Sequence, residues 1–354
     1  MTTTTQTPAA LGFSMPTEWD THAATWMGWP FNDDYWLGYL EVARQDFTQL
    51  IRTIADFESV IVTVADEEAE QDAKKRLGAT ANGLTNIRFR RFEIDDIWFR
   101  DSGPIFIRDA KNKLPLTDWG FNGWGNRFEW KKDTLVPKGI ADELGAKRYE
   151  IPIIMEGGAL EINSQGVLLT TKQCLLNKNR NPKLSQAQIE HYLKDYLGVK
   201  QFIWLERGLE GDRTDGHIDT ITRFANDTTI ITSVHEDKND TNYAPMQENL
   251  EILKNARQPN GDLYNLVELP LPRKRMDVDG ERLPMTYANF YIGNGFVVVP
   301  TYDDANDNEA LQILQSNFPE HKVIGVNSTG LITGGGSFHC VTQQQPIGEV
   351  MGNG

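Results

Sequence analysis

The chain is poor in several features that would fix its class at once. Only two of its 354 residues are cysteine, Cys174 and Cys340. Two thiols cannot build a disulfide framework, and such sparing use suits a reducing compartment, so a cytoplasmic location is expected. Positive charge is also short. There are 35 Lys and Arg against 50 Asp and Glu, a formal net charge of −15. That deficit argues against nucleic acid or an anionic membrane surface as partner, because phosphate recognition needs clustered Lys and Arg. A small cationic ligand is compatible with it. No apolar run approaches the roughly 18 residues a membrane span requires. The Thr-rich start has neither the basic nor the apolar region of a signal peptide. Residues 1–12 therefore read as a disordered tail and 13–354 as a single domain. Missing too are a Gly-x-Gly-x-x-Gly after an early strand and a Gly-x-x-x-x-Gly-Lys loop, which counts against a doubly wound nucleotide-binding sheet.

What the sequence does contain is an alternation of helix and strand. Leu40, Ala43, Phe47, Leu50, Ile51 and Ile54 recur at helical spacing, and Ser59 to Val64 follows as a buried strand. A polar helix over Glu67 to Leu77 leads to a strand at Ile87 to Ile94. Ser185 and Gln188 form a capping-box pattern that opens a helix through Leu197, with a strand at Gln201 to Leu205. Late in the chain, Phe296 to Pro300 and Lys322 to Val326 read as strands around a helix at 308–317. The class is α/β throughout.

Five segments set polar residues into apolar, strand-like surroundings. They centre on Asp96, Glu156, His217, Asn289 and Cys340, at separations of 60, 61, 72 and 51 residues. A polar strand end about every 60 residues suggests five similar modules around one centre. In Gly216-His217-Ile218-Asp219, a strand would point His217 and Asp219 to one face and Ile218 into the core. A His beside a carboxylate is a general acid/base, although a structural loop histidine fits the same pattern. Cys340 follows three glycines that let backbone approach a ligand, so it is either a nucleophile or a small buried hydrophobe. Cys174 lacks such glycines and reads as structural. The His and Cys spacings fit no metal centre. His339 and Cys340 would face opposite sides of a strand, while His22, His191, His235 and His321 lie in polar segments and are expected in solvent. Asp96, Glu156 and Asp219, each alone an ordinary surface charge, together suit a planar cation: a guanidinium presents a rigid fork of N–H donors that carboxylates accept.

The motifs Met15-Pro16-Thr17-Glu18-Trp19, Trp26-Met27-Gly28-Trp29-Pro30, Trp98-Phe99-Arg100-Asp101-Ser102-Gly103-Pro104, Glu156-Gly157-Gly158, Asn177-Lys178-Asn179-Arg180-Asn181-Pro182, Asp215-Gly216-His217-Ile218-Asp219 and Phe338-His339-Cys340-Val341-Thr342 occur in order along nearly the whole chain. This set resembles the agmatine deiminase / bacterial peptidylarginine deiminase family. The resemblance implies the pentein fold, a five-bladed pseudo-symmetric α/β propeller, and a hydrolase that needs no metal and no cofactor. It implies Cys340 as nucleophile, His217 as acid/base, Glu156 as the carboxylate orienting His217, and Asp96 with Asp219 gripping the guanidinium. The implied substrate is a small cationic guanidine, foremost agmatine, with peptidyl-arginine or another arginine derivative as the alternative and amidino transfer as a more distant one. The loop Phe121-Asn122-Gly123-Trp124-Gly125-Asn126 and the residues beside Asp96 differ from the agmatine-specific pattern and are expected around the far end of the substrate. The sequence leaves a homo-oligomer open.

Overall fold

A computed structural model describes residues 6–36, 38–78 and 85–352. Within it the same connection recurs five times: an antiparallel strand pair, a crossover helix, and a third strand parallel to the second. In the second unit, Ile105–Phe106 pairs antiparallel with Leu116–Gly120, which runs parallel to Arg148–Ile154 after the helix Val136–Leu144. The third uses Glu161–Ile162, Val167–Thr171, the helix Gln186–Leu197 and Gln201–Leu205. The fourth uses Thr222–Asn226, Thr229–Val234, the helix Tyr243–Asn255 and Asn265–Pro270. The fifth uses Tyr291–Gly293, Phe296–Thr301, the helix Asp307–Asn317 and Lys322–Asn327. The first unit borrows its leading strand from the far end of the chain. Gln343–Pro346 pairs antiparallel with His22–Gly28, which runs parallel to Val60–Val64, and Ile87–Arg91 adds a fourth strand. The last segment thereby fastens to the first.

Local sequence explains most of these elements. The helix Leu40–Ala55 buries the six apolar positions of its 3.6-residue stripe against the first sheet. Asp66 caps the helix Glu67–Leu77 by accepting from Ala69 N at 2.8 Å, and Gly78 ends it at φ 70°. The Ser185 capping box is present with both of its reciprocal bonds. All five residues of Val60–Val64 are buried, as expected of a strand flanked on both sides and covered by helix. Residues 6–12, expected to be a loose tail, differ from that reading. Ala9–Leu11 form a short 3-10 turn that leads to buried Phe13, while residues 1–5 lie outside the described part.

Buried ion pairs tie the units together. The Arg223 guanidinium, shut off from solvent, donates to Glu161 at 2.8 Å, to Glu18 at 2.6 Å and to the Phe290 carbonyl at 2.5 Å. One side chain thus fastens the N-terminal segment and the third, fourth and fifth units. His22, expected in solvent, is buried among Glu58, Tyr291 and the Glu18 carbonyl. Its segment is polar in sequence but forms the start of the first-unit strand, where it meets the fifth unit.

Candidate active site

Each of the five polar segments directly precedes the leading strand of a unit. Asp96 and Asp101 come before Ile105–Phe106, Glu156 before Glu161–Ile162, and His217 and Asp219 before Thr222–Asn226. Asn289 comes before Tyr291–Gly293, and Cys340 before Gln343–Pro346. The spacing in the sequence is the repeat length of the fold.

Cys340 is buried, in a turn after Gly334, Gly335 and Gly336. A β-carbon on Gly336 would lie 3.1 Å from Cys340 Sγ and 2.7 Å from the Trp98 ring, and one on Gly334 would press on Trp36 and Trp98. Glycine is required there because the loop wall, the indole and the thiol share one space. Asn289 Nδ2 stands 3.2 Å from the sulfur, and Asp219 Oδ2 is 3.7 Å away. Burial pushes the thiol well above its ordinary pKa, and the negative charges of Asp219 and Asp101 push it the same way. In the free site the sulfur keeps its proton.

Asp219 is wholly buried. Burial raises its pKa, but the hydrogen bond and charge of His339 outweigh that and hold the carboxyl below the usual range. His339 Nδ1 donates to Asp219 Oδ2 at 2.7 Å and Nε2 donates to Glu18 Oε2 at 2.6 Å. A ring that donates from both nitrogens is the imidazolium. A chain of charged hydrogen bonds therefore runs from Arg223 through Glu18 and His339 to Asp219. His339 and Cys340 do not face opposite sides as strand geometry would require. They lie in a turn, and both reach the same oxygen of Asp219.

His217 and Asp219 are likewise not on a strand. Ile218–Thr220 is a 3-10 turn, preceded by Asp215 and Gly216 at φ 68° and 87°. The left-handed Asp215 is held by Arg180 at 2.7 Å, Asn179 at 2.9 Å and Arg127 at 2.6 Å. Strain of this kind persists only where neighbours over-determine it. The turn still aims both side chains at the centre while Ile218 enters the core. A β-carbon on Gly158 would sit 2.5 Å from His217 Nδ1, 2.7 Å from Asp101 Oδ1 and 3.1 Å from Asp219 Oδ2. The missing side chain lets three polar groups converge.

The carboxylate facing His217 Nδ1 is Asp101, at 3.7 Å, a residue the sequence reading left without a role. Asp101 also accepts from Trp124 Nε1 at 2.9 Å and Gly158 N at 3.0 Å. Burial raises it to about 6. For His217, burial favours the neutral ring, but the Asp101 charge and the nearby Cys174 thiol override it and lift the pKa well above its ordinary value. Glu156 Oε1 accepts from Arg180 Nε at 2.6 Å. Its ligand oxygen, an imidazole nitrogen of His217 and the Cys174 sulfur lie within 4.8 Å of one another. Cys174, read from sequence as remote from any catalytic type, thus stands beside the histidine. The helical turn Lys172–Leu175 brings it there, and no local motif announces it.

Asp96 lines a narrow slot together with Trp98, Asp101, Trp124 and Cys340. Its two oxygens accept from Ile97 N and Trp98 Nε1, both at 2.8 Å. Burial nevertheless pushes its carboxyl up to about 7. The slot has acidic groups at its base and aromatic walls, a shape that suits a flat cation. Trp124, from the loop expected near the far end of a substrate, forms part of that wall. The Trp124 backbone has φ 52°, between two left-handed glycines, Gly123 and Gly125. The five residues singled out from sequence divide into two adjoining groups: Cys340 and Asp96 line the slot, and Asp219, His217 and Glu156 form the buried layer behind it. Asp101 joins the two.

The Porphyromonas-type peptidyl-arginine deiminase family model matches residues 14–346. An agmatine deiminase of Ectopseudomonas mendocina is 38% identical, over 98% of this chain and 99% of its own. Among solved structures, the agmatine deiminase of Enterococcus faecalis superposes with a TM-score of 0.91 at 32% identity, over 97% of this chain and 98% of that one. A substrate-bound cysteine-to-serine agmatine deiminase of C. jejuni gives 0.86 at 34% identity, over 95% and 97%.

Proposed function

From the premise that the chain belongs to the Porphyromonas-type peptidyl-arginine deiminase family, we propose that it hydrolyses agmatine to N-carbamoylputrescine and ammonia. The similarity to agmatine deiminases over almost the full length of both chains supports the substrate. The observation that carries the chemistry is a buried thiol between a carboxylate and an amide, at the base of an acidic, aromatic slot. We place 13–354 in one catalytic domain and the five units around this site as the blades of a propeller. Two free, buried thiols agree with a cytoplasmic setting.

The free site holds a neutral thiol under a cluster of carboxylates. A guanidinium entering the slot meets Asp96 in its lining and the unpartnered Oδ1 of Asp219 in the layer behind as hydrogen-bond acceptors, and brings a positive charge against the sulfur. That charge offsets the carboxylates that kept the thiol protonated, so binding itself favours the thiolate, and the thiol proton leaves to solvent. Cys340 Sγ then bonds to the guanidinium carbon, giving a tetrahedral adduct. The raised His217 supplies the proton, and the departing nitrogen leaves as ammonia as its C–N bond breaks. The product is an amidino thioether on Cys340. His217, now neutral, takes a proton from water as the water oxygen bonds to the same carbon. Collapse breaks the C–S bond as the hydroxyl proton passes to the sulfur, which releases the ureido product and restores the neutral thiol. Asp101 keeps His217 cationic for the first step, and Asn289 holds the sulfur in line.

The test is turnover of agmatine, arginine and an arginine peptide, with ammonia and ureido product measured together. Agmatine is expected to be the preferred substrate by kcat/KM, and Cys340→Ala to abolish both products. Turnover of the peptide but not agmatine would overturn the substrate assignment. Retained turnover in Cys340→Ala would overturn the chemistry.

A further inference from the structure

Behind the slot lies a second constellation that the deimination steps do not use as a whole. Glu156, Cys174 and His217 come from three separate segments, yet each offers one ligand atom within 4.8 Å of the others, and all three are buried. Glu156 Oε2 and both ring nitrogens of His217 have no hydrogen-bond partner among the described residues. Buried polar atoms left unpartnered are rare and mark a place where another group belongs. The surroundings are electron-rich. Asp101 and Asp219 adjoin His217, and against them stands the single guanidinium of Arg180, itself shared with Asp215. Sequence spacing hides the set, because 156, 174 and 217 form no local metal motif.

A thiolate, an imidazole and a carboxylate form a donor set suited to a tetrahedral ion of intermediate softness. We propose that Glu156, Cys174 and His217 bind a divalent cation of the zinc class, with a water as fourth ligand. Binding breaks the Cys174 S–H bond and displaces the imidazolium proton of His217, so two protons are released as the metal takes the thiolate and the His217 lone pair. Resting on the deiminase reading for its consequence alone, such occupation withdraws His217 from proton transfer and makes the ion a reversible inhibitor. The ligating sulfur is Cys174, so the nucleophile itself stays free. Hard cations such as Mg²⁺, which prefer oxygen ligands, are excluded by the same donor set.

Cys340→Ala protein makes the test clean, since Cys174 is then its one remaining cysteine. Titration with Co²⁺ is expected to give a thiolate-to-cobalt charge-transfer band at one ion per chain, removed by Zn²⁺ and unaffected by Mg²⁺. The additional change Cys174→Ser should abolish the band, and His217→Gln should weaken binding at least tenfold. No turnover is measured, so the result stands apart from the identity of the substrate. A band in the natural protein that vanishes in Cys340→Ala would overturn the proposal by placing the ion on the nucleophile, and so would the absence of a band in both. If Cys174→Ser does not fold, the Cys340→Ala titration alone decides.

Discussion

At pH 8, Asp96→Asn should make the protein more stable while making it a worse catalyst. Asp96 is almost fully buried, and burial lifts its carboxyl from 3.8 to about 7. The unfolded chain therefore loses this proton near pH 4, while the folded chain keeps it until about pH 7. Between those values the unfolded state binds fewer protons, so stability falls as pH rises and the loss is complete above pH 7. A difference of about 3 at 1.36 kcal/mol each is about 4 kcal/mol, an upper limit because neighbouring Asp133 shares the burden. Asn carries no such penalty, but its amide leaves either Ile97 N or Trp98 Nε1 without an acceptor, a cost of about 1–3 kcal/mol. Urea unfolding of both proteins at pH 4 and pH 8 should show Asp96→Asn the less stable at pH 4 and gaining relative to the natural protein by up to about 4 kcal/mol at pH 8. Agmatine should recover the same energy in the natural protein by neutralising the site, raising its stability more at pH 8 than at pH 4. A stability difference independent of pH would refute the view that Asp96 is a strained carboxylate kept for a cation.

His339→Gln should remove the charge that holds Asp219 ionised. Stability at pH 7 should drop by about 3–5 kcal/mol as buried carboxylates lose their partner. Because Asp219 is ionised above a depressed pKa, its loss of support should move the acid limb of the pH–activity profile upward, as steady-state assays from pH 4 to 8 would show. Gly336→Ala should lower kcat by about 100-fold through displacement of Cys340 or Trp98, with the catalytic loss exceeding any change in urea midpoint.

The repeat of the fold was legible in the sequence because it places a polar segment before each unit. Strong helix stripes and caps, as at Leu40–Ala55 and Ser185–Leu197, were also legible. The short leading strands were not. Ile105–Phe106 and Glu161–Ile162 have two residues each, too few to show alternation. The turn at His217–Thr220 imitates a strand in sequence because Ile218 is apolar between two polar residues. Only the two left-handed residues before it, Asp215 and Gly216, mark the difference. Asp101 and Cys174 were hidden for another reason. Their partner His217 is 116 and 43 residues away along the chain, and proximity of that kind is set by tertiary packing.

The central claim is a covalent bond between Cys340 and the substrate's guanidinium carbon. Acid quenching during agmatine turnover, followed by peptide mass spectrometry, tests it directly. An adduct of agmatine less ammonia on the peptide that contains Cys340, with Cys174 unmodified, is the predicted result. The same adduct on Cys174, or full turnover by Cys340→Ala, would contradict it.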